Sequence, residues 1–148
     1  MKQTFLVVFL LLGFLLSAQN EQKWLVNFEE AKKEAQSQSR HILVSFSGSD
    51  WCGNCMRLSQ DLFESQEFKE FATENLILLN LDFPAKKANK LSAEQTAHND
   101  ALAEKFNPTG VFPLTLVLNE KGELISKMKY PCKNVEEYLH EIQLALRK

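Results

Sequence analysis

Cysteine is scarce in this chain of 148 residues, which contains three, an odd number. So few cysteines exclude a small scaffold whose fold depends on several disulfides. Positive charge is not in excess either, because 17 Lys and Arg residues stand against 19 Asp and Glu residues, for a net charge of −2. We therefore expect no nucleic-acid partner and no basic surface that would bind an anionic membrane.

The chain also lacks internal repeats, low-complexity stretches and a linker rich in Pro, Gly or Ser, so a single domain is expected. Its longest apolar run, residues 5–16, is shorter than the roughly 20 residues that cross a bilayer. Lys2 precedes the run and Ser17-Ala18 follows it, an order typical of a secretory signal peptide. We predict that residues 1–18 are removed and that residues 19–148 are exported to the periplasm, or else secreted, without a membrane anchor.

Apolar spacing and capping residues predict four helices and four strands in the order helix, strand, helix, strand, helix, strand, strand, helix. The expected caps are Asn27, Ser92 and Asn134 for the first, third and last helices and Ser65 for a continuation of the second. In the second helix, Met56, Leu58, Leu62 and Phe63 approximate one apolar face. Gly122 is expected at a left-handed position in the turn that joins the last two strands. This order predicts an α/β fold, with a central mixed β-sheet flanked by helices on both faces. The helices are predicted near residues 28–37, 52–72, 93–106 and 135–146, and the strands at 42–46, 76–81, 114–118 and 124–128.

Two of the three cysteines, Cys52 and Cys55, lie at the start of the second predicted helix, directly after a predicted buried strand. The first N–H groups of a helix lack partners within the helix, and the helix dipole is positive there. This position is expected to lower the pKa of the Cys52 thiol and make it a nucleophile. Cys55, one turn further on, is expected to be more shielded from solvent and to act as the resolving thiol.

The segment Trp51-Cys52-Gly53-Asn54-Cys55 resembles the thioredoxin family, and more closely its secreted bacterial members with a Gly-Ser-Asp-Trp-Cys sequence. Two further motifs carry the resemblance, Asn80-Leu81-Asp82 and Val111-Phe112-Pro113. The resemblance implies a thioredoxin-like fold, with Cys52 and Cys55 as the catalytic pair. It also implies a cis bond before Pro113 that faces the cysteines, a Phe112 backbone that pairs with substrate, and a partly exposed Trp51 as a substrate platform.

Several positions depart from that family. Thioredoxins usually carry a buried acid in the strand before the cysteines, often paired with a buried lysine, and Ser45 and Leu78 occupy those places here. Gly53-Asn54 separates the cysteines where Gly-Pro is usual, which affects the expected redox potential. The stretch 83–92 is longer than the corresponding turn, and its role is open. Asp50 either opposes thiolate formation at Cys52 or points to water.

The sequence thus predicts an exported thiol–disulfide oxidoreductase, a protein-disulfide reductase in preference to an oxidase or isomerase. Its partners would be protein or peptide thiols and disulfides, together with a redox protein that recycles the cysteine pair. No cofactor is expected. The alternative is a non-catalytic binding or chaperone module in which Cys52–Cys55 is a structural disulfide.

The third cysteine, Cys132, is expected to be a bystander thiol, with an intermolecular disulfide or a third redox role as the alternative. A zinc site that uses the three cysteines and a histidine is disfavoured, because the histidine spacings do not fit and no second Cys-x-x-Cys is present. We expect no metal. The histidines, His41, His98 and His140, are expected at the surface or at a strand edge.

Overall fold

The computed structural model describes residues 23–128 and 130–148, so the predicted signal peptide lies outside the described residues. Five strands form one sheet: β1 (Trp24–Leu25), β2 (His41–Ser47), β3 (Leu76–Asp82), β4 (Leu114–Leu118) and β5 (Leu124–Met128). The α-helices are α1 (Phe28–Gln38), α2 (Gly53–Leu58), α3 (Gln66–Asn75), α4 (Ala93–Phe106) and α5 (Val135–Ala145). A π-helical turn, Ser59–Phe63, continues α2, and a short 3-10 turn, Lys87–Asn89, precedes α4.

The sheet is mixed, as the sequence predicts, with strand order β1-β3-β2-β4-β5. Strand β3 runs parallel to both β1 and β2, whereas β2–β4 and β4–β5 are antiparallel. Strand β2 is therefore central, and its carboxyl end leads directly into the cysteine turn. None of the helices among the described residues is long and apolar enough to cross a membrane.

Alternating side chains of the central strands build two separate hydrophobic cores, one on each face of the sheet. On β2, Ile42, Val44 and Phe46 belong to the core under α1 and α4, and Leu43 belongs to the core under α3 and α5. All of these side chains are buried. The pattern confirms helices on both faces and leaves Ser45 on the same side of the sheet as Leu43.

Helix ends follow the predicted capping residues. Asn27, Ser65, Ser92 and Asn134 each accept a hydrogen bond from the backbone N–H three residues later, which satisfies a group that the helix leaves unpaired. Gly122 has φ +82° and so takes the predicted left-handed conformation.

In the fold, the structure differs from the sequence prediction at strand β1, at Met56 and at His98. Strand β1 was not predicted, and it has only two residues. Met56, predicted on the buried face of the second helix with Leu58, is exposed, because residues two apart point to nearly opposite sides of a helix. His98 is not a plain surface residue, since its Nε2 accepts a 3.0 Å hydrogen bond from the N–H of Phe28 at the start of α1.

Candidate active site

The cysteine pair lies where β2 passes into α2, at the carboxyl end of the central strand. Cys52 and Cys55 form a disulfide with their Cα atoms 5.2 Å apart. Cys52 is the N-cap of α2, and its sulfur accepts a 3.2 Å hydrogen bond from the N–H of Cys55. The Cys52 sulfur therefore occupies the position that a side-chain oxygen takes in an ordinary helix cap.

The predicted difference in exposure between the two cysteines is not found. Cys52 is 7% exposed and Cys55 is 5% exposed, so both are covered in this oxidised form. The prediction was wrong for Cys52 because a helix start in a sequence shows nothing of the side chains that surround it. Little of either cysteine is accessible to an attacking thiol in this form.

Four aromatic rings form a continuous contact chain from the core to the cysteine turn. Phe46, buried in β2, stacks on Phe83 with ring centres 6.3 Å apart. Phe83 meets Phe112 edge to face at 5.4 Å, and Phe112 meets Trp51 in the same way at 5.4 Å. Trp51 is 49% exposed, as predicted from its family position. Two of the residues predicted to bind substrate, Trp51 and Phe112, are thus in direct contact.

The turn before β4 is held by one buried side chain. Asn107 donates from its amide nitrogen to the C=O of Val111 at 2.8 Å, and its oxygen accepts from the N–H of Val111 at 2.9 Å. The Phe112–Pro113 bond that follows is cis, which confirms the prediction from the family resemblance. None of the described residues hydrogen-bonds to the backbone N–H or C=O of Phe112.

Asp50 anchors the long segment at residues 83–92. Its carboxylate accepts from the N–H of Ala85 at 2.9 Å, from the N–H of Lys86 at 3.0 Å and from the side chain of Asn89 at 2.9 Å. These hydrogen bonds, led by those of Ala85 and Asn89, hold the pKa of Asp50 below its ordinary value.

The same segment is tied to the cysteine turn at Phe83, and the end of β3 just before it is tied there at Asp82. The indole N–H of Trp51 donates to the C=O of Phe83 at 2.7 Å. Asp82 accepts from the N–H and from the hydroxyl of Ser49, at 2.8 and 2.6 Å. Gly48 completes this arrangement, because a Cβ at that position would overlap the indole ring of Trp51. The extra length of 83–92 therefore serves to fix the turn that carries Trp51 and Cys52.

Replacing Asp50 by asparagine is expected to speed hydrogen exchange at the amides of Ala85 and Lys86 about tenfold, because an amide has one acceptor oxygen and no charge. In the wild-type protein these amides should stay protected at pH 5. Since the pKa of Asp50 is lowered, the anchor is lost only as the pH falls through that lowered value. Asp100→Asn, at an exposed position of α4, is the control and should leave both amides unchanged.

The remaining chemistry-bearing residues lie outside this arrangement. Cys132 is a free, partly buried thiol packed against the core under α5, and burial followed by the charge of Glu137 raises its pKa. This agrees with a bystander role. Within residues 23–128 and 130–148, no three His, Cys, Asp or Glu side chains are grouped so that they could hold a metal ion.

Comparison with known proteins agrees with this geometry. A family model described as thioredoxin-like matches residues 23–119. The chain belongs to this family. A solved DsbH oxidoreductase superposes with a TM-score of 0.78 at 27% identity, covering 86% of this chain and 85% of that one. A thioredoxin from Thermus thermophilus gives a TM-score of 0.60 at 14% identity, covering 84% and 86% of the two chains, and supports the fold alone.

Among curated proteins, the disulfide bond reductase DsbH of Chlamydia pneumoniae is 29% identical over 121 residues, which is 82% of this chain and 71% of that protein. The similarity and the Cys-x-x-Cys pair, closed as a disulfide, identify this thioredoxin-like protein as a thiol–disulfide oxidoreductase. The fold and the enzyme class predicted from the sequence are thereby confirmed.

Proposed function

We propose that this thioredoxin-like protein is an exported protein-disulfide reductase of the periplasm, in which Cys52 attacks and Cys55 resolves. The observation that carries the proposal is the hydrogen bond from the Cys55 N–H to the Cys52 sulfur. In the reduced protein the same N–H and the positive end of the helix would stabilise the Cys52 thiolate. The predicted signal peptide at residues 1–18 supports export.

The reaction moves two electrons from the cysteine pair to a substrate disulfide. The Cys52 thiolate attacks one substrate sulfur, which forms a mixed disulfide and releases the other substrate sulfur as a thiolate. Cys55 then loses its proton and attacks the Cys52 sulfur. This step breaks the mixed disulfide, releases the second substrate sulfur as a thiolate and closes the Cys52–Cys55 disulfide. A thiol-bearing redox partner would restore the dithiol for the next cycle.

The surroundings of the pair suit an extended peptide. Trp51 offers an exposed aromatic surface, and Phe112 and Val111 continue it along the turn before Pro113. The backbone N–H and C=O of Phe112 are available to pair with a substrate strand, as in other members of the family. The name of the Chlamydia relative, disulfide bond reductase, supports the reductive direction.

The reduction potential of the Cys52/Cys55 pair tests this proposal. It would be measured by equilibration with glutathione and alkylation of free thiols. A Cys132→Ala background ensures that the alkylated thiols are those of Cys52 and Cys55 alone. A reductase is expected to give between about −270 and −230 mV. A value between about −180 and −120 mV would indicate an isomerase or oxidant. A pair that stays oxidised below about −300 mV would instead be a structural disulfide.

A further inference from the structure

A cavity of about 510 Å³ opens beside Cys55, on the side of the sheet that carries α2 and α3. Its lining mixes polar and apolar side chains, which come from β1, β2, β3, α2, the π-helical turn and the residues just after β2 and that turn. Polar groups in the wall of a cavity of this size can hold water molecules by hydrogen bonds. The residues around it are Trp24, Ser45, Ser47, Ser49, Cys55, Met56, Ser59, Gln60, Phe63, Glu64 and Asn80.

The cavity exists because β2 and β3 change from apolar to polar side chains at paired positions on this face of the sheet. Leu43 of β2 is in register with Leu78 of β3, and both belong to the buried core. Two residues further along, Ser45 is in register with Asn80. Small and polar side chains at this level leave space next to Cys55 that a larger apolar pair would fill.

Ser59 and Glu64 form the wall of the cavity nearest the helix. The N–H of Ser59 donates to the C=O of Cys55, so Ser59 lies one helical turn beyond Cys55 on the same face. The Ser59 hydroxyl donates to Oε1 of Glu64 at 3.3 Å. The backbone N–H of Glu64 also bonds to the C=O of Ser59, at 2.9 Å, which holds the two residues together.

Glu64 carries the one charged side chain among the described residues that line the cavity. The lining residues from β1, β2 and β3 are uncharged, and the other ionisable group in the lining is Cys55 itself. Asp61, three residues before Glu64, is exposed like Glu64 but does not line the cavity. Asp82, at the end of β3, is engaged by Ser49.

We infer that Glu64 accepts, through water in this cavity, the proton that Cys55 loses when it resolves the mixed disulfide. Ser59 is the positioning residue that holds the carboxylate. The inference rests on the proposed function and deepens it. The Cys55 sulfur forms its bond to Cys52 as its proton moves to Glu64, and the bond between Cys52 and the substrate sulfur breaks as the substrate thiolate leaves with the electron pair. Glu64 then passes the proton to solvent. The thiol-bearing redox partner later reduces the new disulfide and the proton on Cys55 is restored, so electrons and protons balance over the cycle.

The inference explains how the protein works without an acid in β2, where Ser45 stands. A carboxylate approaching from the helix side can do the same task because the cavity joins it to Cys55. General bases of this kind raise rates by about 10²–10⁴-fold when they are well placed. Glu64 acts through water from the rim of an open cavity, so the rate enhancement that it provides should lie at or below the lower end of that range.

The test is a single turnover of the full-length reduced protein with oxidised glutathione, in a Cys132→Ala background. Samples quenched in acid and weighed by mass spectrometry give the attack rate from the glutathionylated protein that forms, and the resolution rate from its decay. For Glu64→Gln we expect resolution about tenfold or more slower at pH 6, with an unchanged attack rate. The resolution rate of this variant should rise about tenfold per pH unit, whereas that of the wild type should change much less.

Three variants separate a proton acceptor from a structural or general charge effect. Asp61→Asn removes a charge from the same turn outside the cavity and should resolve at the wild-type rate. Glu64→Asp should restore part of the rate, and Ser59→Ala should give a smaller loss than Glu64→Gln with the same change in pH profile. Glutamine keeps an acceptor for the Ser59 hydroxyl, so Glu64→Gln should fold normally.

Wild-type resolution in Glu64→Gln at every pH, or equal slowing in Asp61→Asn, would overturn the inference while leaving the reductase proposal intact. A wild-type cysteine pair that oxidised glutathione does not oxidise at all, with or without a visible mixed disulfide, would contradict both. The two failures are therefore distinguishable in one set of measurements.

Discussion

Replacing Cys52 by serine is expected to lower the rate of insulin reduction about 10³-fold or more, to the rate of the thiol reductant alone. The variant lacks the thiol that we propose as the nucleophile, and a serine hydroxyl does not attack a disulfide at neutral pH. The measurement is the turbidity of precipitating insulin chains in the presence of dithiothreitol. This loss should be complete because Cys55 lies one turn deeper in the helix, away from the N-cap position at which the helix start stabilises a thiolate.

Two matched variants make that result specific. Cys55→Ser keeps the attacking thiol, so it should lose turnover but accumulate a mixed disulfide with substrate that survives denaturation without reductant. Cys132→Ala should retain wild-type turnover, because Cys132 is a partly buried thiol packed against the core under α5 and has no assigned step. Undiminished activity in Cys52→Ser would rule out the proposed order of attack.

Replacing Phe46 by alanine is expected to cost about 3–5 kcal/mol of unfolding free energy, a large part of the roughly 5–15 kcal/mol typical of a domain. Phe46 is fully buried in the central strand, and its loss leaves a cavity bordered by a rigid sheet. Phe83, which contacts Phe112, would also lose the buried ring on which it stacks. We therefore expect kcat/KM for insulin reduction to fall several-fold under conditions in which the variant is folded.

Phe68→Ala is the matched control, since Phe68 is equally buried but lies in the core on the opposite face of the sheet. It should show a similar loss of stability in urea unfolding with little change in kcat/KM. Equal losses of kcat/KM in both variants would mean that the aromatic chain does not support the site and that destabilisation alone lowers activity.

The elements that could be predicted from the sequence are those that a pattern within a few neighbouring residues determines. The four capping residues and the long apolar strands each fix their structure over a few neighbouring residues, and all were found at the predicted places. The family motifs added the cis bond before Pro113, which local physics alone does not require. Strand β1 was not predicted, because two residues show no periodicity. Only its pairing with Leu78 and Leu79 makes it a strand.

The parts of the site that could not be predicted depend on contacts between distant positions. Asp50 reaches backbone groups 35 and 36 residues away, and such side-chain-to-backbone bonds leave no pattern in a sequence. The low exposure of Cys52 likewise depends on segments that meet only in the fold. The position of Glu64 at the cavity could not be predicted either. A glutamate after a helix is usually a solvated residue, and only the cavity distinguishes this one.

The bond between the Trp51 indole and the Phe83 carbonyl has a consequence for selectivity. An indole has a single hydrogen-bond donor, and here it is committed inside the protein. A visiting chain therefore meets Trp51 as a flat hydrocarbon surface, which accepts many side chains of different shape and demands no particular polar group. Backbone pairing with Phe112 would likewise not depend on the side chains of the substrate. Such a surface suits a generalist enzyme, which would respond to any accessible disulfide in a flexible chain.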